Sequence, residues 1–137
     1  MWRLLGIALC LASLVAAFGQ NHPCTKHEAE HADEAVDTMK SWDLVHDWYA
    51  RYEHCDDGGP AEGVSEAVAR NLVDRWETLP RLGELAKDAA FRSFVLKHVN
   101  ETLSRDDLKK ISANAAKRCP MSLVSLCRDL KKQADAP

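Results

Sequence analysis

No two cysteines in the sequence are spaced as CxxC, and no stretch of strict apolar–polar alternation is long enough for a strand. The first absence argues against a zinc-thiolate cluster and the second against a β-class fold. Basic residues are not in excess either: 18 Lys and Arg face 21 Asp and Glu, a net charge of −3, so the chain as a whole is no nucleic-acid binder. No internal repeat, linker-like stretch or low-complexity segment divides it. At 137 residues and 15.3 kDa it has room for one small domain. The hydrophobic share of 46% beside 28% charged is a globular balance rather than a disordered one.

The N-terminus reads as an address. Arg3 supplies one positive charge, and Leu4 to Phe18 then run without a charge. That run falls short of the about 20 residues of a permanent membrane span. Ala17 and Gly19 put small residues at the −3 and −1 positions of a cut before Gln20. We therefore expect a cleaved signal peptide over 1–19, a single helical domain over 20–137, and export to a periplasm or the cell exterior. A retained N-terminal anchor is the competing reading; after cleavage no stable membrane insertion is expected. Cys10 lies in the leader, and Leu9 before it does not suit lipidation.

Export changes what cysteine means. Cys24, Cys55, Cys119 and Cys127 remain, an even number, and an oxidising compartment would join them as two disulfides. Their pairing depends on geometry. A turn near Lys40-Ser41 would make two antiparallel helices and bring Cys24 to Cys55, although no Gly or Pro supports it. A continuous helix from Lys26 to His54 would instead be about 43 Å long and would forbid that bond. Cys119 and Cys127 flank a Pro-initiated turn and can meet locally. Cys24–Cys55 with Cys119–Cys127 is the favoured pairing; a bond from Cys55 to either C-terminal cysteine stays open.

Every element reads as helix. Thr25-Lys26-His27-Glu28 fits a capping box, followed by an apolar face of Ala29, Ala32, Val36 and Met39. Trp42, Val45, Trp48, Tyr49 and Tyr52 continue the stripe until Asp56-Asp57-Gly58-Gly59 stops it. Val64, Ala67, Val68, Leu72 and Trp76 mark the next buried face, and Leu82 to Val99 another. Ser104 looks like a cap before Leu108, Ile111 and Ala115, and Leu123, Leu126 and Leu130 mark the last helix. The polar end, from about residue 132 to 137, is expected to fray. The fold class is thus all-α: a compact, disulfide-stabilised bundle of five to six helices.

Three constellations bear on chemistry. His27-Glu28-Ala29-Glu30-His31 matches HExxH, in which two histidines one helical turn apart hold zinc and the glutamate activates water. The third ligand and Gly of the extended HExxHxxGxxH pattern are missing, and the motif begins in a first helical turn, where Glu28 has a capping role to fill. Metal binding without catalysis is the milder version, with His27, His31 and Glu34 or Glu30 as ligands and Zn(II), Cu(II) or Ni(II) as the ion, zinc being the candidate cofactor. His46-Asp47 resembles the pair of the small secreted phospholipases A2, which would make His46 a water activator and Asp47 a calcium ligand. No Gly-rich calcium loop precedes His46, and no cysteine adjoins the pair. The stretch His54 to Gly63 holds a Cys beside a His, a nucleophile if free and a structural crosslink if oxidised.

That last stretch, with Val64 to Trp76 and Asp107 to Pro120, resembles small exported bacterial helical proteins that carry no assigned activity. The resemblance implies a periplasmic compartment and gives no function. The reading for function is a non-enzymatic exported binding protein, of the inhibitor or immunity kind, that blocks a protein partner. Asp56, Asp57, Asp106 and Asp107 are its candidate partner-binding residues, suited to a basic cleft. The alternatives are a metal-binding protein or zinc-dependent hydrolase using His27, Glu28 and His31, and a small-ligand carrier lined by Trp42, Trp48, Trp76 and Phe91.

Overall fold

Thr25 opens the first helix. Its hydroxyl accepts the Glu28 N–H at 3.3 Å, and the Glu28 carboxylate accepts the Thr25 N–H at 2.9 Å, a complete capping box. This computed structural model describes residues 22–136; the expected signal peptide, its cut and Cys10 lie outside the described residues. Seven helices follow in order: α1 (Lys26–Val36), α2 (Trp42–Tyr52), α3 (Gly58–Asp74), α4 (Leu79–Leu85), α5 (Ala89–Lys97), α6 (Arg105–Lys117) and α7 (Val124–Asp135). Three single 3-10 turns sit at Glu53–Cys55, Trp76–Thr78 and Met121–Leu123. No strand occurs among the described residues, so the fold is all-α. The count exceeds the expected five to six because the chain breaks between α1 and α2 and again between α4 and α5.

The first break contains neither Gly nor Pro. Ser41 N-caps α2 by accepting the Leu44 N–H at 3.3 Å, and the Thr38 hydroxyl donates to the Ala35 carbonyl at 2.7 Å. Met39 is fully buried, and the Arg75 guanidinium donates to the Lys40 carbonyl from across the fold. The chain therefore reverses, and the Trp48 indole N–H donates to the Ala32 carbonyl at 2.9 Å. Cys24 is bonded to Cys55 with their Cα atoms 5.0 Å apart, and Cys119 to Cys127 at 6.1 Å. The second break comes where Asp88 accepts the Ala90 N–H at 2.9 Å and starts α5.

The core runs from Ala32 and Val36 through Val45, Val64, Val68 and Leu72 to Ile111 and Leu130. Trp42, Trp48, Trp76 and Phe91 belong to it, all under 5% exposed. α7 is helical through Asp135, and Leu126, Leu130 and Ala134 fall one turn apart on its buried face. No helix among the described residues is long and apolar enough to cross a membrane. At Gly63 in α3, a Cβ would collide with the Val36 side chain, so the absence of a side chain sets how closely α1 lies on α3.

Two outcomes follow from this framework. Gly63→Ala should destabilise the protein by about 1–3 kcal/mol in urea unfolding, despite alanine's better helix propensity, because the overpacking outweighs it. Paired Cys→Ala removal of Cys24–Cys55, which spans 31 residues, should cost more than removal of Cys119–Cys127, which spans 8. Loop-closure entropy sets the difference at about 1 kcal/mol.

Candidate functional site

The HExxH residues make separate contacts at the start of α1. His27 and His31 lie one turn apart on the exposed face of α1, their Nε2 atoms 3.1 Å from each other. Glu34 approaches His31 from behind, its carboxylate 3.6 Å from Nδ1. A carboxylate on the second ring nitrogen orients a metal-binding imidazole. Glu28 is engaged elsewhere. Its Oε2 accepts both the Thr25 hydroxyl at 2.6 Å and the Thr25 N–H, while Oε1 faces His54 Nε2 at 3.4 Å and His22 Nδ1 at 3.8 Å. The Thr25 hydroxyl, then the Thr25 N–H, and to a lesser degree His54 and His22 hold the Glu28 carboxyl down to about 2, against a smaller upward push from burial. A carboxylate that acidic is a poor general base near neutrality, where the useful pKa lies close to the working pH.

His46 and Asp47 are likewise separated in role. The His46 ring packs edge-on against Phe91 with centroids 4.8 Å apart, while Asp47 is exposed. Cys55, the potential nucleophile of the third stretch, is taken up in its disulfide.

The four candidate partner-binding acids divide. Asp57 is exposed and caps α3, accepting the Gly58 N–H at 2.9 Å, while Gly58 takes the φ of +54° that starts that helix. Asp106 is exposed and Asp107 half-buried in the first turn of α6, where their charge complements the helix dipole. Asp56 turns inward. Its side chain is 5% exposed, with the carboxylate 3.2 Å from His98 Nε2 and 2.5 Å from Lys97 Nζ. On the other side of the ring, His98 Nδ1 lies 2.9 Å from the Ser65 hydroxyl, which is itself 3.1 Å from the Ala61 carbonyl.

This Asp56–His98–Ser65 chain escaped the sequence reading, since no local motif links residues 42 and 33 positions apart. The only hints were polar residues at buried positions of α3 and at the end of α5. Its members match a hydrolytic triad by type, and a small cavity of about 230 Å³ lies beside Ser65 and His98. The geometry serves structure instead. Ser65 sits inside α3 at 3% exposure, and the backbone N–H groups around it are committed to the helix. What the chain does is tie the Cys55–Asp57 corner to α3 and α5. Burial raises the Asp56 pKa, but hydrogen bonds from His98 and Lys97, with their charges, outweigh it and leave the carboxyl below its ordinary value.

One further surface stands out. The loop closed by Cys119–Cys127 presents Met121 at 94% exposure and Val124 at 51%. Leu123 between them turns inward, into the space left open by Gly83 of α4. Ser122, Ser125 and Arg128 complete the exposed surface. No protein-family model, curated protein or solved structure matches the chain. Its function is therefore a question for the side chains themselves.

Asp56→Asn should cost roughly 1.5–3 kcal/mol of stability at pH 7, as the loss of hydrogen bonds to a buried carboxylate does. Because the folded Asp56 pKa is lowered, its contribution is fully present above the unfolded value of about 3.9 and is lost as pH falls through the folded one. Urea unfolding at pH 7 and pH 3 should show the variant's deficit shrinking in acid; a constant deficit would mean that the carboxylate's charge contributes nothing.

Proposed function

We propose that this chain is a non-enzymatic exported binding protein that docks on a protein partner through the Cys119–Cys127 loop, as an inhibitor or immunity protein does. The observation that carries it is the near-complete exposure of Met121 on a covalently closed loop. A large apolar side chain held in water is a cost to a monomer, and Met and Arg are enriched at interface cores. Closing the loop before binding removes much of the ordering entropy that docking would otherwise oppose. Leu123, packed at Gly83, anchors the loop to the bundle.

The remaining features support this reading. Two disulfides suit an oxidising compartment, as does the apolar leader over 1–19. Asp57, Asp106 and Asp107, on a chain of net charge −3, steer a basic partner toward encounter without having to anchor it. Glu28 and Ser65, the two residues an enzyme would need, have structural engagements. A second reading, metal binding by α1, is favoured by the 3.1 Å approach of His27 and His31 with Glu34 behind His31.

A photo-crosslinking side chain at Ser122, expressed in the native cell, should give one discrete adduct. The double variant Met121→Asp, Val124→Asp should abolish it, and the same probe at Lys109 on α6 should give none. Absence of an adduct at Ser122, or an adduct indifferent to the two aspartates, would reject the loop as the docking surface.

A further inference from the structure

We propose that His22, Glu28 and His54 form a divalent metal site, with Zn(II) the ion their donors fit. This goes beyond the docking reading and is separate from the His27–His31 pair. His22 Nδ1, Glu28 Oε1 and His54 Nε2 all lie within 4.8 Å of one another, the only group of three among the described residues to do so. Oε1 stands 3.8 Å from His22 and 3.4 Å from His54. Around a tetrahedral ion with bonds of about 2.0–2.1 Å, donors sit about 3.3 Å apart. Closing the trio takes a movement of about an ångström, and exposed His22, ahead of the first helix, is free to supply it.

Three features prepare the site. Thr25 holds Glu28 by Oε2, with hydroxyl and N–H together, so Oε1 alone is presented. A carboxylate fixed from behind in this way is what an outer shell does for a metal ligand. The Cys24–Cys55 disulfide joins the two segments that carry the histidines, since His22 lies two residues before Cys24 and His54 immediately before Cys55. The two rings already meet edge to face, centroids 5.3 Å apart. Two imidazoles and one carboxylate suit Zn(II), whereas Ca(II) and Mg(II) require all-oxygen shells. Three protein donors leave the fourth position to water or to a donor atom of a ligand. The sequence motif thus contributes its glutamate to a site its own histidines do not share.

Zn(II) is the diagnostic ion. A chain cut before Gln20 begins Gln20-Asn21-His22, and an amine two residues ahead of a histidine chelates Cu(II) and Ni(II) through backbone amides, which would mask the site. The oxidised protein recovered after export, titrated with Zn(II) by calorimetry, should take up one ion. His22→Gln and His54→Gln should each weaken binding by at least about tenfold, and His27→Gln, His31→Gln together by no more than about twofold, with helical content by circular dichroism unchanged in all. Co(II) in place of Zn(II) should give the visible absorption of a tetrahedral ion in the parent and lose it in the first two variants. No Zn(II) uptake, or uptake lost only in the His27, His31 double variant, would overturn the assignment.

Discussion

The reversal of the chain between Val36 and Trp42 is the constraint on which the rest of the structure depends. Without it α1 and α2 would be one rod of about 43 Å, and Cys24 would lie at the far end from Cys55. With it, the first and last turns of the pair meet, and a covalent bond closes 31 residues into a loop. What holds the reversal is a sum of modest terms: a serine cap at Ser41, the Thr38 hydroxyl on a free carbonyl, the burial of Met39, and the Trp48 N–H on Ala32. Each is worth of the order of 1 kcal/mol or a little more, and only together do they outweigh continuation of the helix. The polar end of the molecule is their consequence. His22, Glu28, His54 and Asp56 come from segments that only this reversal brings together.

What the sequence disclosed was whatever chemistry acts over a few residues. Thr25 and Ser104 could be read as caps because a hydroxyl three residues ahead of a free N–H has a local partner. Helical stripes announced the core because burial repeats with the helix period. The break at Asp37–Ser41 was only half legible. Ser41 is its sole local signal, while the insertion of Met39 and the reach of Arg75 to Lys40 are decided by the other helices. At the end of α7, Lys131, Lys132, Gln133 and Asp135 read as a polar tail, and the buried Ala134 among them gives little local signal of a helix. Asp56 looked like a surface acid because its neighbours are Asp57 and two glycines, and nothing nearby announces His98.

Glu28 shows why a catalytic motif on a helix is ambiguous until its first turn is accounted for. Four N–H groups at a helix start lack partners, and a glutamate at the third position is the usual means of covering one of them. HExxH asks the same carboxylate to face a metal-bound water beside two histidines. The contacts show how the carboxylate is held: Thr25 supplies a charge-assisted O–H and an N–H to Oε2, while Oε1 faces His54 and His22 rather than His27 and His31. Satisfying the cap lowers the basicity that catalysis would require. The outcome generalises to any motif glutamate placed three residues after a Ser or Thr N-cap.

The two crosslinks brace the two surfaces on which our proposals rest. One joins the segments that carry His22 and His54; the other closes the loop that carries Met121 and Val124. A domain of this size has little hydrophobic core with which to hold surface loops still, so unbraced side chains would forfeit binding energy to ordering entropy. A disulfide lowers that cost locally, without requiring burial of the residues beside it. Met121 can therefore stay in water and His22 stay solvent-accessible, while their backbones remain placed. The same covalent bonds that stabilise the fold place both surfaces, so reduction would loosen the two together.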